Sequence, residues 1–491
     1  MKAKDVLILG LFFIIYLFFP SVNPTTDSWY YASCVKYGSD LFSPHHLLYN
    51  AFMYGLFYLL ELTFIHVEAL SFMQAINAVF AILCLFLFRS LLQIIGAGIS
   101  QIRGCILIAG ASFVFMRFAT DNETYLLALL LSLVASYFFL ADQCKHRNGI
   151  LISGLLAALA CLFHQIHFFW WMGFFITIII YNKSLKALLQ FSLPALIVPI
   201  AYYLVVKIQN DQSGTDAFIQ FIFYEYFQGV STSFSFEYLK LGAINFIRSF
   251  VQLHGHIFLI VRSNWLFALP AVLTLLFLFF GLSRKQIIKK KQTLNREHRF
   301  LFIILFILQL SFAIYSFGNA EFMVMIPFLL LLIMRSMFQL NWKSLYWIGA
   351  AMLIWNFSYA ILPSNKMQLN ADDFLAAEMK KNKTDLFIIQ NSQRLENKMY
   401  YQLGIIPGNM LRSPFSYNER GKSLTDLQNI IEQSLENGIH VFTDCLNARA
   451  IDRSFMLSAE INKAFFSNYK ISKFDSTQVL NNSYFLFQIS K

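Results

Sequence analysis

Apolar stretches close to twenty residues long recur from Val6 to Leu362, separated by short polar breaks. The segments roughly 5–22, 70–94, 104–119, 124–141, 149–163, 168–181, 188–206, 264–283, 300–316, 322–338 and 344–362 read as helices, on the scale needed to cross a hydrocarbon core about 30 Å thick. Two stretches depart from this pattern. Residues 207–262 hold an aromatic-rich segment around "GTDAFIQFIFYEYFQGVSTSFSFEYLKLGAINF" that reads as partly amphipathic. From 363 to 491 the chain is polar, with short apolar runs "DLFIIQ" (385–390), "IHVFTD" (439–444) and "YFLFQI" (484–489) and a helical stretch "SLTDLQNIIEQSLENG" (423–438). Strand and helix alternating in this way predict a small α/β domain.

Composition agrees with the pattern. The 491 residues are 57% hydrophobic and 13% charged, with a mean hydropathy of +0.56, whereas a soluble domain is about half apolar and a quarter charged. The fold class predicted is an all-α polytopic membrane protein of about eleven transmembrane helices over 1–362, with a small C-terminal α/β domain over 363–491. Lys2 and Lys4 precede the first span and no small-residue cleavage site follows it, so it reads as a retained helix. The six cysteines form no CxxC pair, which gives no zinc-knuckle or disulfide framework.

Basic residues orient the spans. With the N-terminus inside, the inner loops hold Arg103, then Lys145 and Arg147, Lys183 and Lys186, "RKQIIKKKQTLNREHR" (284–299), and Arg335 and Lys343. The outer side keeps only a scatter: Lys36, Arg117, Lys207, Lys240, Arg248 and Arg262. This is a positive-inside pattern. If 45–65 also crossed, the densest basic loop would fall outside, so 45–65 reads as an interfacial helix on the outer surface. The outer loops are then 23–69 and 207–262, and the C-terminal domain is extracytoplasmic. The charge of +11 reports orientation and gives no reason to expect nucleic acid.

Polar residues that topology does not explain gather at outer junctions. Asp27, Trp29 and Tyr30 follow the first span, with His45 and His46 in "SPHHLLYN". Arg117, Asp121 and Glu123 stand in "RFATDNETY", His164, Gln165 and His167 in "CLFHQIHFFWW", and Asn319 and Glu321 in "SFGNAEFMVMIP". Ionisable groups at the edge of apolar spans are costly there and are candidates for function. Each also has a structural reading. Asp27 suits the cap of a helix starting near Ser28, and Asp121 the cap of the following span. His45 and His46 suit an interfacial pair, His164 and His167 packing in a tight turn, and Glu321 a first-turn acid.

The first-loop Asp followed by aromatics, the "SPHHLLY" element, "ETYLLALLLSLVASYFFL" (123–140), "GLLAALACLFHQIHFFWW" (154–171) and "NAEFMVMIPFLLLLIM" (319–334) together resemble the GT-C superfamily of membrane glycosyltransferases. The likeness is to the protein O-mannosyltransferases and the lipid A aminoarabinose transferase. His-His stands where that family has His-Pro. The resemblance implies transfer of a sugar from a polyprenyl-phosphate or polyprenyl-diphosphate carrier to an extracytoplasmic glycan, lipid or protein acceptor, in a multi-pass protein of the bacterial inner membrane, surrounded by membrane lipids.

Such transfer needs a base for the acceptor hydroxyl, and general base help is typically worth about 10²–10⁴-fold. Asp27 is the expected base, with Trp29 and Tyr30 as flat faces for a sugar. The phosphate leaving group needs positive or hydrogen-bonding partners, expected among Arg117, His45, His46 and His164, with Arg248 and Arg262 as further candidates. No cofactor is certain: whether Mg²⁺ or Mn²⁺ sits between Asp27 and Asp121 or Glu123 stays open. Two other readings remain: an O-antigen ligase or polymerase-like transferase relying on Arg248 and Arg262, and a transporter or lipid flippase. The latter predicts mid-span ionisable residues and repeat symmetry, and no internal repeat is found in the sequence.

Overall fold

The computed structural model describes residues 3–142, 148–210, 215–224, 235–253, 256–285, 287–290, 296–419, 423–447, 453–480 and 482–491. Lys145, Arg147 and the middle of the 207–262 segment lie outside them. The first twelve helices are α1 (Ala3–Phe18), α2 (Thr26–Tyr37), α3 (Tyr49–Glu61), α4 (Ala69–Ile94), α5 (Ile99–Ala111), α6 (Phe113–Ala119), α7 (Tyr125–Asp142), α8 (Gly149–Phe163), α9 (Phe168–Thr177), α10 (Leu185–Ser192), α11 (Ile197–Asn210) and α12 (Thr215–Ile222). Later helices include Glu237–Phe250, Ala268–Leu282, Arg296–Tyr315, Ile326–Met337 and Trp342–Asn356. The chain forms two compact units, one of Met1–Pro20, Gly38–Leu253 and Ala268–Leu362, the other of Ser21–Tyr37, His254–Phe267 and Pro363–Lys491.

In the first unit, helix occupies each of the eleven expected segments. Among the described residues, five helices are long and apolar enough to cross a membrane, or six if the bent pair α5 and α6 counts as one span. The remaining segments are shorter helices or helices broken into pieces. Continuous apolar helix is thus less common than apolar sequence, because irregular turns interrupt it. On Ala268–Leu282, Leu269, Val272, Leu275 and Phe279 are all exposed, as expected of a face turned to hydrocarbon.

The α5–α6 bend of 68° shows how such a break is tolerated. Ser112 takes an extended conformation between the helices, and its hydroxyl donates to the Ala109 carbonyl at 2.7 Å. The Asn356 amide donates to the Ala111 carbonyl, also at 2.7 Å. Two carbonyls released by the break are thereby satisfied without water. Two cations expected in inner loops are also engaged: Arg103 pairs with the buried Asp5 at 2.5 Å, and Arg335, 4% exposed, donates to the Phe338 carbonyl and to that of Gly96. The segment 284–299 contributes β1 (Ile287–Lys290), antiparallel to β2 (Phe338–Leu340).

The second unit contains β3 (Leu386–Ile389), β4 (Met410–Arg412), β5 (Val441–Thr443), β6 (Lys470–Val479) and β7 (Asn482–Ser490). They form one mixed sheet in the order β4-β3-β5-β7-β6. β3 runs parallel to β4 and β5; β7 runs antiparallel to β5 and β6. Phe387, Ile389, Phe442 and Leu486 pack with Leu395 and Met399 in one cluster, and Ile388, Val441 and Ile489 with Leu427 and Ile431 in another. A strand covered on both faces is apolar at every position, as β3 is. The Ser21–Tyr37 segment belongs to this unit through specific bonds. The Val22 N–H donates to the Ser364 carbonyl at 3.0 Å, and the Asn23 amide donates to the carbonyls of Ser364 and Met367.

Candidate functional site

Residues of the four outer junctions meet in the first unit, Asp27, Trp29 and Tyr30 excepted. The turn before α3 is stitched to the end of α8: Leu48 N–H donates to the Leu162 carbonyl and Gln165 N–H to the His45 carbonyl, each at 3.0 Å. Gln165 then fixes the turn from its side chain. Its amide nitrogen reaches the Pro44 carbonyl at 3.0 Å, the Tyr202 hydroxyl at 2.9 Å and the Ile222 carbonyl at 3.4 Å. Carbonyls only accept, so the amide NH₂ must face them. Gln165 Oε1, 3.1 Å from His45 Nδ1, is therefore the acceptor, and neutral His45 carries its hydrogen on Nδ1.

His164 is held in the opposite tautomer. Its Nδ1 accepts from the Ile166 N–H at 3.3 Å, which places the hydrogen of the neutral ring on Nε2. That Nε2 is buried and has no hydrogen-bond partner among the described residues. Around it, the His46 ring lies edge-on at 4.7 Å and the Tyr125 ring at 4.6 Å between centroids. His46 Nδ1 is 3.4 Å from the Thr124 hydroxyl. His46 keeps some accessible surface, yet its ring is surrounded by protein. Burial, with a smaller contribution from His45, pushes it down to about 3. Burial pushes His164, in the α8–α9 turn, well below the usual range, with His46, His167 and His45 adding to the effect. These two imidazoles are neutral at physiological pH and act as hydrogen-bonding groups, not as cations.

The cation of the site is Arg117. It lies 3.8 Å from Glu321 Oε1, both side chains about one-third exposed, and Tyr125 donates its hydroxyl to Glu321 Oε2 at 3.5 Å. Asn319 Oδ1 accepts from the Glu321 N–H at 2.9 Å, capping that turn. The turn begins at Gly318, whose φ of +62° and 2.5 Å approach of a Cβ position to Gly242 N leave room for glycine alone. Asp121 and Glu123 are buried, and Asn77 of α4 holds both of their carbonyls at 3.0 and 2.8 Å. Asp121 Oδ1 accepts from the Asn122 N–H at 2.8 Å, and α7 begins only at Tyr125. His167 belongs to helix packing: Ser132 Oγ is 2.7 Å from its Nδ1, and its ring stacks on Trp170 at 6.1 Å.

A cavity of about 570 Å³ adjoins this cluster. Ala158, Cys161, Phe168, Trp171 and Pro199 give it apolar walls, and Gln165 and Tyr202 are its polar members. Gln165 therefore belongs both to the cavity wall and to the histidine cluster.

Asp27 lies in the second unit, exposed in the first turn of α2. The helix starts at Thr26, and Thr25 Oγ1 accepts from the Ser28 N–H at 3.0 Å. Thr25 thus fills the capping role that the sequence offered to Asp27. Trp29 packs against Tyr401 at 5.2 Å with Lys398 Nζ 5.5 Å from its ring, and Tyr30 packs against Tyr31 at 5.8 Å. Arg248 stacks over Phe113 in the first unit. Among the described residues, no group of three or more His, Cys, Asp and Glu side chains is arranged to hold a metal ion. Tyr125 and Tyr202 are site residues that the sequence reading missed; each is one aromatic within an apolar span, with its polar partner far away in the chain.

No family model matches the sequence, and no curated protein matches it. Solved structures do. The chain aligns over nearly its full length with structures of ArnT and AftD. ArnT from Cupriavidus metallidurans in the apo state aligns with 10% identity and a TM-score of 0.45, covering 99% of this chain and 97% of that one. The same protein bound to undecaprenyl phosphate gives 10% and 0.43, covering 99% and 96%. The arabinofuranosyltransferase AftD from Mycobacteria gives 10% and 0.48, covering all of this chain and 41% of AftD. At this level of similarity, no residue role carries over.

Proposed function

We propose that this protein is a membrane glycosyltransferase that moves a sugar from a polyprenyl-phosphate carrier to an acceptor outside the cytoplasm. The observation that carries the reading is the double placement of Gln165, which hydrogen-bonds into the polar cluster and lines an apolar cavity. A carrier with a charged head and an isoprenoid tail requires that combination. In this reading the chain crosses the membrane about eleven times, with its N-terminus and 284–299 in the cytoplasm and 363–491 outside. The acceptor hydroxyl attacks the anomeric carbon and the bond from that carbon to the phosphate oxygen breaks. The carrier phosphate leaves with the electron pair, and the hydroxyl proton passes to the Asp27 carboxylate. Arg117 balances charge on the leaving phosphate, and Trp29 and Tyr30 offer flat faces to the sugar.

The test uses membranes containing the full chain and a panel of undecaprenyl-phosphate sugars, each labelled in the sugar. Release of undecaprenyl phosphate with label appearing in an acceptor supports the proposal. If no donor in the panel is consumed above membranes lacking the protein, the transferase reading is lost. Reporter fusions after Arg284 and Lys491 test the topology, and a C-terminal reporter active only in the cytoplasm overturns it.

A further inference from the structure

The transferase reading leaves open how neutral histidines serve an anionic ligand. His164 is 4% exposed, and Ile166 N–H occupies its Nδ1. The remaining ring nitrogen therefore carries a hydrogen that finds no acceptor among the described residues. A buried donor left unmade costs the full desolvation of that group, and in a polar cluster such a donor is a place for a ligand atom. The neighbouring rings of His46 and Tyr125 and the Tyr125–Glu321–Arg117 contacts join it to Arg117.

We infer that His164 Nε2–H is a fixed hydrogen-bond donor to a phosphoryl oxygen of the bound ligand. The inference rests on the transferase reading for the identity of that ligand. Its specific content is the tautomer: the backbone of the α8–α9 turn makes this imidazole a donor at Nε2 before any ligand arrives. A neutral donor of fixed direction contributes to recognition without adding a second buried positive charge to the site.

Two substitutions divide the ring into its two functions. His164→Asn keeps an acceptor near the Nδ1 position, so the Ile166 N–H stays satisfied, but it removes the donor at Nε2. His164→Gln keeps a donor near Nε2 and gives up the acceptor. Binding is measured on the full chain in lipid nanodiscs with three probes: undecaprenyl phosphate, inorganic phosphate and undecaprenol. The expected result for His164→Asn is about 10-fold or more weaker binding of undecaprenyl phosphate, with unchanged undecaprenol binding and an unchanged melting temperature. His164→Gln should hold affinity closer to wild type and melt lower. A residue that only caps the turn gives the reverse order and overturns the inference, as does equal loss for undecaprenol. Loss confined to inorganic phosphate keeps the donor and rejects the lipid carrier as its partner. Wild-type protein that transfers sugar while His164→Asn binds normally defeats this inference alone; wild-type protein that binds none of the probes and transfers nothing defeats both. In the wild type, a ¹⁵N-histidine resonance for His164 that shows hydrogen on Nδ1 also overturns it, independently of either variant.

Discussion

Gln165 and His45 stand 120 residues apart in the chain, and their side chains meet at 3.1 Å. The same glutamine amide satisfies the Pro44 carbonyl and the Tyr202 hydroxyl. Gln165→Leu should therefore release several partners at once and leave the His45 Nδ1–H without its acceptor. The expected cost is about 1–3 kcal/mol of stability, read as a lowered melting temperature in detergent. A variant that melts like wild type would show that water replaces the amide at no cost.

Asp27→Asn should abolish sugar transfer by on the order of 10²-fold or more while leaving the protein folded, because an amide is not a usable base. Thr25→Ala supplies the contrast: it removes the cap of α2, costing about 1 kcal/mol, and should leave transfer per folded molecule intact. Both are measured in membranes matched for protein abundance. Near-full transfer by Asp27→Asn would move the search for the base to Glu321.

Acid should destabilise the fold through the buried histidines. Folding lowers His46 from an ordinary 6.5 to about 3, and lowers His164 in the same direction. Between those pH values the unfolded chain binds more protons than the folded chain, so stability rises with pH across the window. The contribution is complete above about 6.5 and lost progressively as pH falls. Melting temperatures at pH 7.5, 6 and 5 should decline, and His46→Gln should flatten the decline. An identical pH profile for that variant would refute this account of His46.

Gly154→Ala tests the helix that carries the His164 turn. A Cβ at Gly154 would sit 2.2 Å from the Phe191 carbonyl oxygen, so α8 and α10 must move apart. The expected loss is about 1–3 kcal/mol, checked by thermal unfolding. Unchanged stability would mean that the α10 backbone yields freely.

Much of the architecture was legible because its signals are local. Runs of apolar residues marked the helices, and "DLFIIQ", "IHVFTD" and "YFLFQI" marked β3, β5 and β7. β6 escaped because "KISKFDSTQV" carries no apolar alternation: it pairs with β7 and is mostly exposed, with Phe474 packed against Phe442 and Val479 against the core. The three residues of β4 were too few to stand out. At the site, the sequence placed the polar junctions on one side of the membrane but not in contact. The Arg117–Glu321 and His46–His164 contacts depend on helix packing, which has no short-range trace. The tautomers of His45 and His164 were invisible for the same reason, since each is dictated by a partner that only the folded chain supplies.

The helix bearing Asp27 is made early and completed late. Its flanking Asn23 is anchored by carbonyls of Ser364 and Met367, and Lys36 near its end donates to the Tyr401 carbonyl. Those partners do not exist on the ribosome until the whole apolar region has been synthesised. The proposed base therefore gains its native supports only in the last stage of biosynthesis, and a nascent or truncated chain ending at Leu362 carries Asp27 without them.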